Sequence, residues 1–132
     1  MLVIFAITIL TPIGAAWLQY ILIGLTANPT YATVTTVVFY SFGEGLYGGF
    51  YYDTNTLDNC LKPQSILAWE MNYESLPLVH GAPLRLRVEN QLGYKMVKWI
   101  SSIEFLESHE NIGKGHGGKN EDDEYFDLLA NT

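Results

Sequence analysis

From Leu84 to Glu89 apolar and charged positions alternate: Leu84, Leu86 and Val88 against Arg85, Arg87 and Glu89. That period of two predicts a strand with one buried face. Arg85 and Arg87 then share the other face, about 7 Å apart along the strand. Asn90 to Gly93 reads as a turn, and Tyr94 to Ile100 as the return strand, with Lys95 and Lys98 on opposite faces. Upstream, β-branched and aromatic residues from Tyr31 to Phe42 predict a buried strand. Gly43-Glu44-Gly45 and Gly48-Gly49 bracket a turn, and Phe50-Tyr51-Tyr52 is a short strand. Asp53 or Thr54 is placed to cap a small helix over Asn55 to Leu61, which Pro63 ends. Gln64 to Met71 predicts a further strand. Asn28-Pro29 marks a loop over 26–30.

Met1 to Leu25 carries no charge, and the first charged residue is Glu44. An apolar run of that length is long enough to span a bilayer. Pro12 and Gly14 interrupt it, however, and no Lys or Arg flanks it to set an orientation. The basic start of a secretory signal is also missing. The competing expectation is a strand, Leu2 to Leu10, followed by a short buried helix, Ala15 to Ile23. The chain thus divides into an apolar segment, 1–25, and a domain, 26–132, that closes on an acidic stretch. Compartment does not follow from this pattern: cytoplasm, periplasm and membrane attachment through 1–25 all stay open.

The chain has 132 residues, enough for one domain. Apolar residues make up 48% and aromatics 14%, which favours a folded, strand-rich object over disorder. The formal net charge of -7 argues against a nucleic-acid partner. Against that acidic background, His80 to Trp99 gathers His80, Arg85, Arg87, Lys95 and Lys98. A basic cluster in an acidic protein points to a bound anion, with phosphate the first candidate. Gly81-Ala82-Pro83 sets a stiff, narrow approach in front of it. Glu121 to Asp127 reads as a solvated acidic tail.

Other candidate chemistry is thinner. Cys60 is the single cysteine, which excludes an internal disulfide and a cysteine-cluster metal site. Gly113 to Gly118 satisfies G-x-G-x-x-G, but no helix-forming sequence of a βαβ unit follows it. His109 and His116 fit no standard metal spacing. The serines occur without a nucleophile-elbow motif.

The ordered run LAWEMNYESLPLVHGAPLRLRVENQLGYKMVKWISSIEF resembles the molybdopterin-binding domain of the sulfite oxidase family, and most of all its bacterial members. The likeness covers about Val37 to the C-terminus, including the glycine-rich and acidic end. It implies an α+β, strand-rich mixed sheet, matching part of that fold and truncated at the N-terminus. It also implies a molybdenum-pyranopterin cofactor ending in a phosphate, two-electron or oxygen-atom transfer, and an electron-transfer partner. By motif, His80 falls on the pterin, Arg85 on the family arginine, and Met96, Val97 and Lys98 on the segment that wraps the phosphate. Ser41 falls near a family serine or threonine contact.

Two departures qualify the likeness. The family ligates molybdenum through a cysteine in a Cys-x-x-Gly-Trp-type motif, and no such motif occurs here. Cys60 reads as a buried structural thiol. The expectation is therefore a C-terminal fragment, inactive alone, with no metal ligand of its own. The alternative is a non-catalytic membrane-tethered or partner-binding module. Second, the family has Asn-Gly where this chain has Asn72-Tyr73. A tight turn with positive φ would cost Tyr73 about 1 kcal/mol, so either the turn differs or the cost is borne.

Overall fold

In this computed structural model the described residues are 33–123, with the backbone of two short strands before them. Those strands are β1 (Leu2–Val3) and β2 (Ala15–Trp17). Then follow β3 (Thr36–Glu44), β4 (Phe50–Thr56), helix α1 (Leu57–Cys60) and β5 (Ser65–Ala68). The chain continues through β6 (Glu70–Met71), β7 (Glu74–Ser75), β8 (Arg85–Val88), β9 (Ile100–Leu106) and helix α2 (Lys119–Asp123). Two 3-10 turns, Leu78–His80 and Gly93–Lys95, flank β8.

The strands form a four-stranded sheet in the order β1-β9-β3-β4, a three-stranded sheet β2-β5-β8, and the hairpin β6-β7. Every ladder among the described residues is antiparallel. The strand-rich expectation is met, with α-helix confined to two short pieces among the described residues. The core lies between the two larger sheets. Val37, Phe39 and Phe105 come from one, and Leu67, Leu86 and Val88 from the other. Alternation does the sorting: on β8, Leu86 and Val88 are buried while Arg85 and Arg87 stay half-exposed, as the sequence period requires.

Several expectations need correction. No return strand follows β8, which instead pairs with β5 at Leu67↔Leu86 and Ala68↔Arg85. The 3-10 turn at Gly93–Lys95 consumes the start of the expected strand, and β9 begins only at Ile100. Two backbone bonds hold the connecting segment beside β8, from Leu86 N–H to the Val97 carbonyl and from Ile100 N–H to the Leu84 carbonyl. The small helix is capped by Thr56, whose hydroxyl accepts the Asn59 N–H at 3.2 Å, because β4 runs on through Asp53 and Thr54. Ala15–Trp17 is a strand paired with β5 where a helix was expected. Leu2–Val3 pairs with β9. The rest of 1–25 lies outside the described residues. Among the described residues no helix is long and apolar enough to cross a membrane.

The Asn72-Tyr73 turn keeps the tight geometry. Both residues have positive φ, 55° and 66°, joining β6 to β7 through two residues. That is the primed-turn conformation that usually calls for glycine at the second position.

Candidate functional site

The site is built where β3 ends against the segment leading into β9. The pairing of β3 with β9 slips by one residue between Tyr40 and Ser41, a bulge beyond which the Phe42 N–H still donates to the Trp99 carbonyl at 2.8 Å. Trp99 itself has φ 52°. A bulky residue in the left-handed region is strained by about 1–2 kcal/mol and must be held by its surroundings. Here its indole N–H donates to the Leu78 carbonyl at 2.7 Å and its backbone N–H to the Gly81 carbonyl at 3.1 Å. Its ring lies flush on Gly43, where a Cβ would sit 2.7 Å from ring carbon Cε3. Only glycine at 43 leaves room for that indole.

Next to this bulge lies a cavity of about 370 Å³, at the lower end of the range for small-molecule sites. Ser41, Met96, Val97 and Lys98 all line it, as do Tyr51, Tyr94 and Trp99. Lys98 places its ammonium 5.4 Å from the Trp99 ring centroid, a cation–π distance. The same ammonium donates to the Val79 carbonyl at 3.1 Å.

His80 and Arg85 stand beside this cavity and are not part of its lining. Arg85 donates from Nη1 to the His80 carbonyl at 3.0 Å. Its Nε is buried with no partner among the described residues. Burial, and then the neighbouring Arg87, pull its pKa below the usual guanidinium value. Arg87 itself is tied to Glu89. Arg85 and Lys98 converge on Gly81: a Cβ there would lie 3.0 Å from Lys98 Cβ and 3.1 Å from Arg85 Cβ. With φ at 112° as well, Gly81 is required by these two side chains. The narrow approach expected around Gly81 is thus filled by the aliphatic stems of these two side chains.

The six expected positions therefore divide by what they can offer. Lys98 brings charge, and Arg85 an unpaired N–H. Met96 gives half-buried apolar wall. Val97 is buried in the core and lines the cavity. Ser41 donates its hydroxyl to the Lys98 carbonyl at 2.7 Å and accepts the Gly43 N–H at 2.9 Å, so it sets the Lys98 backbone. His80 is exposed on its 3-10 turn and meets Arg85 through its carbonyl.

Sequence reasoning missed Tyr51 and Tyr94 as cavity residues, and misread Lys95. Lys95 is fully buried, paired to Asp53 at 2.7 Å and in closer contact with Glu121. Glu121 and Asp122 are buried as well, so the acidic tail begins inside the protein. Asp122 accepts N–H groups from Lys114 at 2.8 Å and His116 at 3.1 Å, and the hydroxyl of Tyr52. Burial alone would push Asp122 up, but those hydrogen bonds prevail and hold it below the ordinary carboxylate range. The glycine-rich loop does bind an anion, namely this chain's own carboxylate. Gly113, Gly115 and Gly117 all have positive φ, which turns alternate N–H groups inward. Residues 124–127 lie outside the described residues.

Comparison with known proteins identifies the family. The family described as oxidoreductase molybdopterin binding domain matches residues 16–112, and the chain belongs to that family. A sulfite oxidase of Arabidopsis thaliana is 41% identical over 61 residues, 45% of this chain and 16% of that protein. A nitrate reductase (NADPH) of Mycosarcoma maydis is 43% identical over 61 residues, 46% of this chain and 6% of that protein. A putative protein-methionine-sulfoxide reductase subunit of Azospira oryzae is 32% identical over 65 residues, 46% of this chain and 25% of that protein. The chain matches only a small part of each relative. Plant, fungal and bacterial proteins all appear, so the match is to the family and does not single out its bacterial branch.

A pterin phosphate fits two donors present, Lys98 and the unpaired Nε of Arg85, while the Met96 N–H is already given to the Gly93 carbonyl at 3.1 Å. A molybdenum ligand is another matter. Cys60 is fully buried in α1 within the core, and burial pushes its thiol well above the ordinary value. No thiolate lines the cavity among the described residues.

Proposed function

We propose that this chain forms one wall of a molybdopterin site and holds the phosphate end of the cofactor. The observation that carries this is the convergence of Arg85 and Lys98 on Gly81, beside a cavity that Ser41, Met96, Val97 and Lys98 already line. Lys98 and Arg85 neutralise the phosphate, the backbone of Met96 and Val97 approaches it, and Ser41 fixes the Lys98 carbonyl. His80 anchors the Arg85 guanidinium through its carbonyl and leaves its ring free for the pterin. When bound, the cofactor supplies the two-electron or oxygen-atom chemistry of the family. Without a thiolate in the wall, the chain by itself retains pterin and does not turn over. This reading makes it a C-terminal portion of a sulfite-oxidase-type domain, of the bacterial kind, that works with an electron-transfer partner.

The test is expression in a host that makes the cofactor, followed by pterin fluorescence after oxidation and elemental analysis for molybdenum. Pterin should copurify, and Arg85→Ala with Lys98→Ala should lower it by about tenfold or more, as expected for two charge-assisted contacts. Stoichiometric molybdenum on this chain alone would overturn the part of the reading that denies it a metal ligand. Pterin retention unchanged in the double variant would overturn the assignment of the phosphate seat.

A further inference from the structure

Behind the cavity wall lies an ion cluster that cofactor binding does not use. The Lys95 ammonium has three N–H donors and three acceptors: Asp53 Oδ1 at 2.7 Å, the Thr54 carbonyl at 3.1 Å, and the Glu121 carboxylate. Two buried carboxylates therefore share one cation. Away from solvent, such a cluster holds either a surplus negative charge or one extra proton. Gly118 closes it on the far side: a Cβ there would lie 2.5 Å from Glu121 Oε2 and 2.7 Å from Asp53 Oδ1.

One side chain links the cluster to the cavity. The Tyr51 hydroxyl lies 3.0 Å from Asp53 Oδ2 and 2.8 Å from the Tyr94 carbonyl. It has a single proton and two acceptors, so a full bond goes to one at a time. Both tyrosines line the cavity.

We infer that Tyr51 is a proton-controlled positioning residue for the Gly93–Trp99 wall of the cavity. When a proton from solvent settles on Asp53 Oδ2, that oxygen turns from acceptor to donor toward Tyr51. The Tyr51 O–H then swings to the Tyr94 carbonyl and ties β4 to the 3-10 turn. When Asp53 gives up its proton, Tyr51 donates to Asp53 and drops the bond to Tyr94. No other bond forms or breaks.

The surrounding charges fit that exchange. Facing Asp53 are Lys95 from the 3-10 turn, Glu121 from α2 and Tyr51 from β4, with the Tyr94 ring beside Lys95. Behind them stand Tyr52 on β4 and Asp122 and Asp123 on α2, with Lys114, His116 and Lys119 closing on those two carboxylates. Burial pushes Asp53 up to about 7 against the pull of Lys95, which puts the exchange in the neutral range. Burial, and then Asp53, push Tyr51 far above the ordinary phenol value, so it remains an O–H donor throughout.

The test is carbon NMR of the protein without ligand, labelled at aspartate carboxyl and tyrosine carbonyl carbons and titrated from about pH 5 to 9. Asp53 and the Tyr94 carbonyl should shift with one common midpoint. In Tyr51→Phe the Tyr94 carbonyl should stop responding while Asp53 still titrates, and in Asp53→Asn it should be flat. Should neither variant fold, the wild-type deuterium isotope shift on the Tyr94 carbonyl should be present at low pH and lost at high pH. A Tyr94 carbonyl indifferent to pH in the wild type would overturn the inference, as would one that titrates unchanged in Tyr51→Phe. Because no cofactor takes part, either failure leaves the proposed pterin seat standing.

Discussion

Tyr73 is almost wholly exposed, at 95%, yet holds a left-handed backbone. Its side chain offsets none of that strain by burial. Tyr73→Gly should therefore raise stability by about 1 kcal/mol, read as a shifted urea midpoint with an unchanged slope. The two lysines of the basic stretch should behave oppositely. Lys95→Met strands two buried carboxylates and should cost about 3–5 kcal/mol. Lys98→Met should leave the urea midpoint nearly unchanged and act on pterin retention instead. Sequence periodicity put these two lysines on opposite faces of a return strand, but Lys95 lies in a 3-10 turn and Lys98 in the segment before β9, so no strand alternation sets their directions. Periodicity had no means of saying which was buried, because the partners of Lys95 come from β4 and α2, remote in sequence. The readings of Arg85 and Arg87 were sounder, since a strand's own alternation sets which way they point.

At the scale of elements, the glycine-rich loop and α2 form one unit around Asp122. Asp122→Ala would leave the Lys114 and His116 N–H groups without their acceptor, at a cost of about 1–3 kcal/mol. The expected outcome is local: amide exchange speeds up at Lys114 and His116 while the β3–β9 ladder keeps its protection. Equal loss of protection in β3 would mean that the loop is part of the global folding unit. Nothing in the spacing of Gly113 to Gly118 announces an internal carboxylate as its ligand, and an acidic run reads as solvated until its contacts are known. Thr56 shows the same limit on a smaller scale. A capping residue was legible near the helix, but its position depended on how far β4 extended, and β3 pairing decided that.

For the whole molecule the buried carboxylates make stability depend on pH in two directions. Asp53 sits above its unfolded value, so the folded state holds that proton more tightly. Its contribution is complete below the ordinary carboxylate range and is lost as pH rises from about 4 through about 7. Asp122 sits below its unfolded value, so its contribution is present above that range and disappears as pH falls through it. Urea denaturation should accordingly show greatest stability on the acid side of neutrality. Asp53→Asn should flatten the decline between about pH 4 and 7, which amounts to a few kcal/mol in the wild type. A decline of equal size in the variant would assign it to other groups.

The sequence by itself determined the strand-rich class, the family, and the alternation that buries Leu86 and Val88 and leaves Arg85 and Arg87 half-exposed, because alternation and ordered motifs are local properties. Only the tertiary structure decided that Lys95 and Glu121 are interior, that Trp99 is held in a strained turn over Gly43, and that Tyr51 bridges an ion cluster to the cavity. Each of those depends on chain segments remote in sequence meeting around β3 and β4, and the free energy of a buried charge is fixed by its neighbours in space.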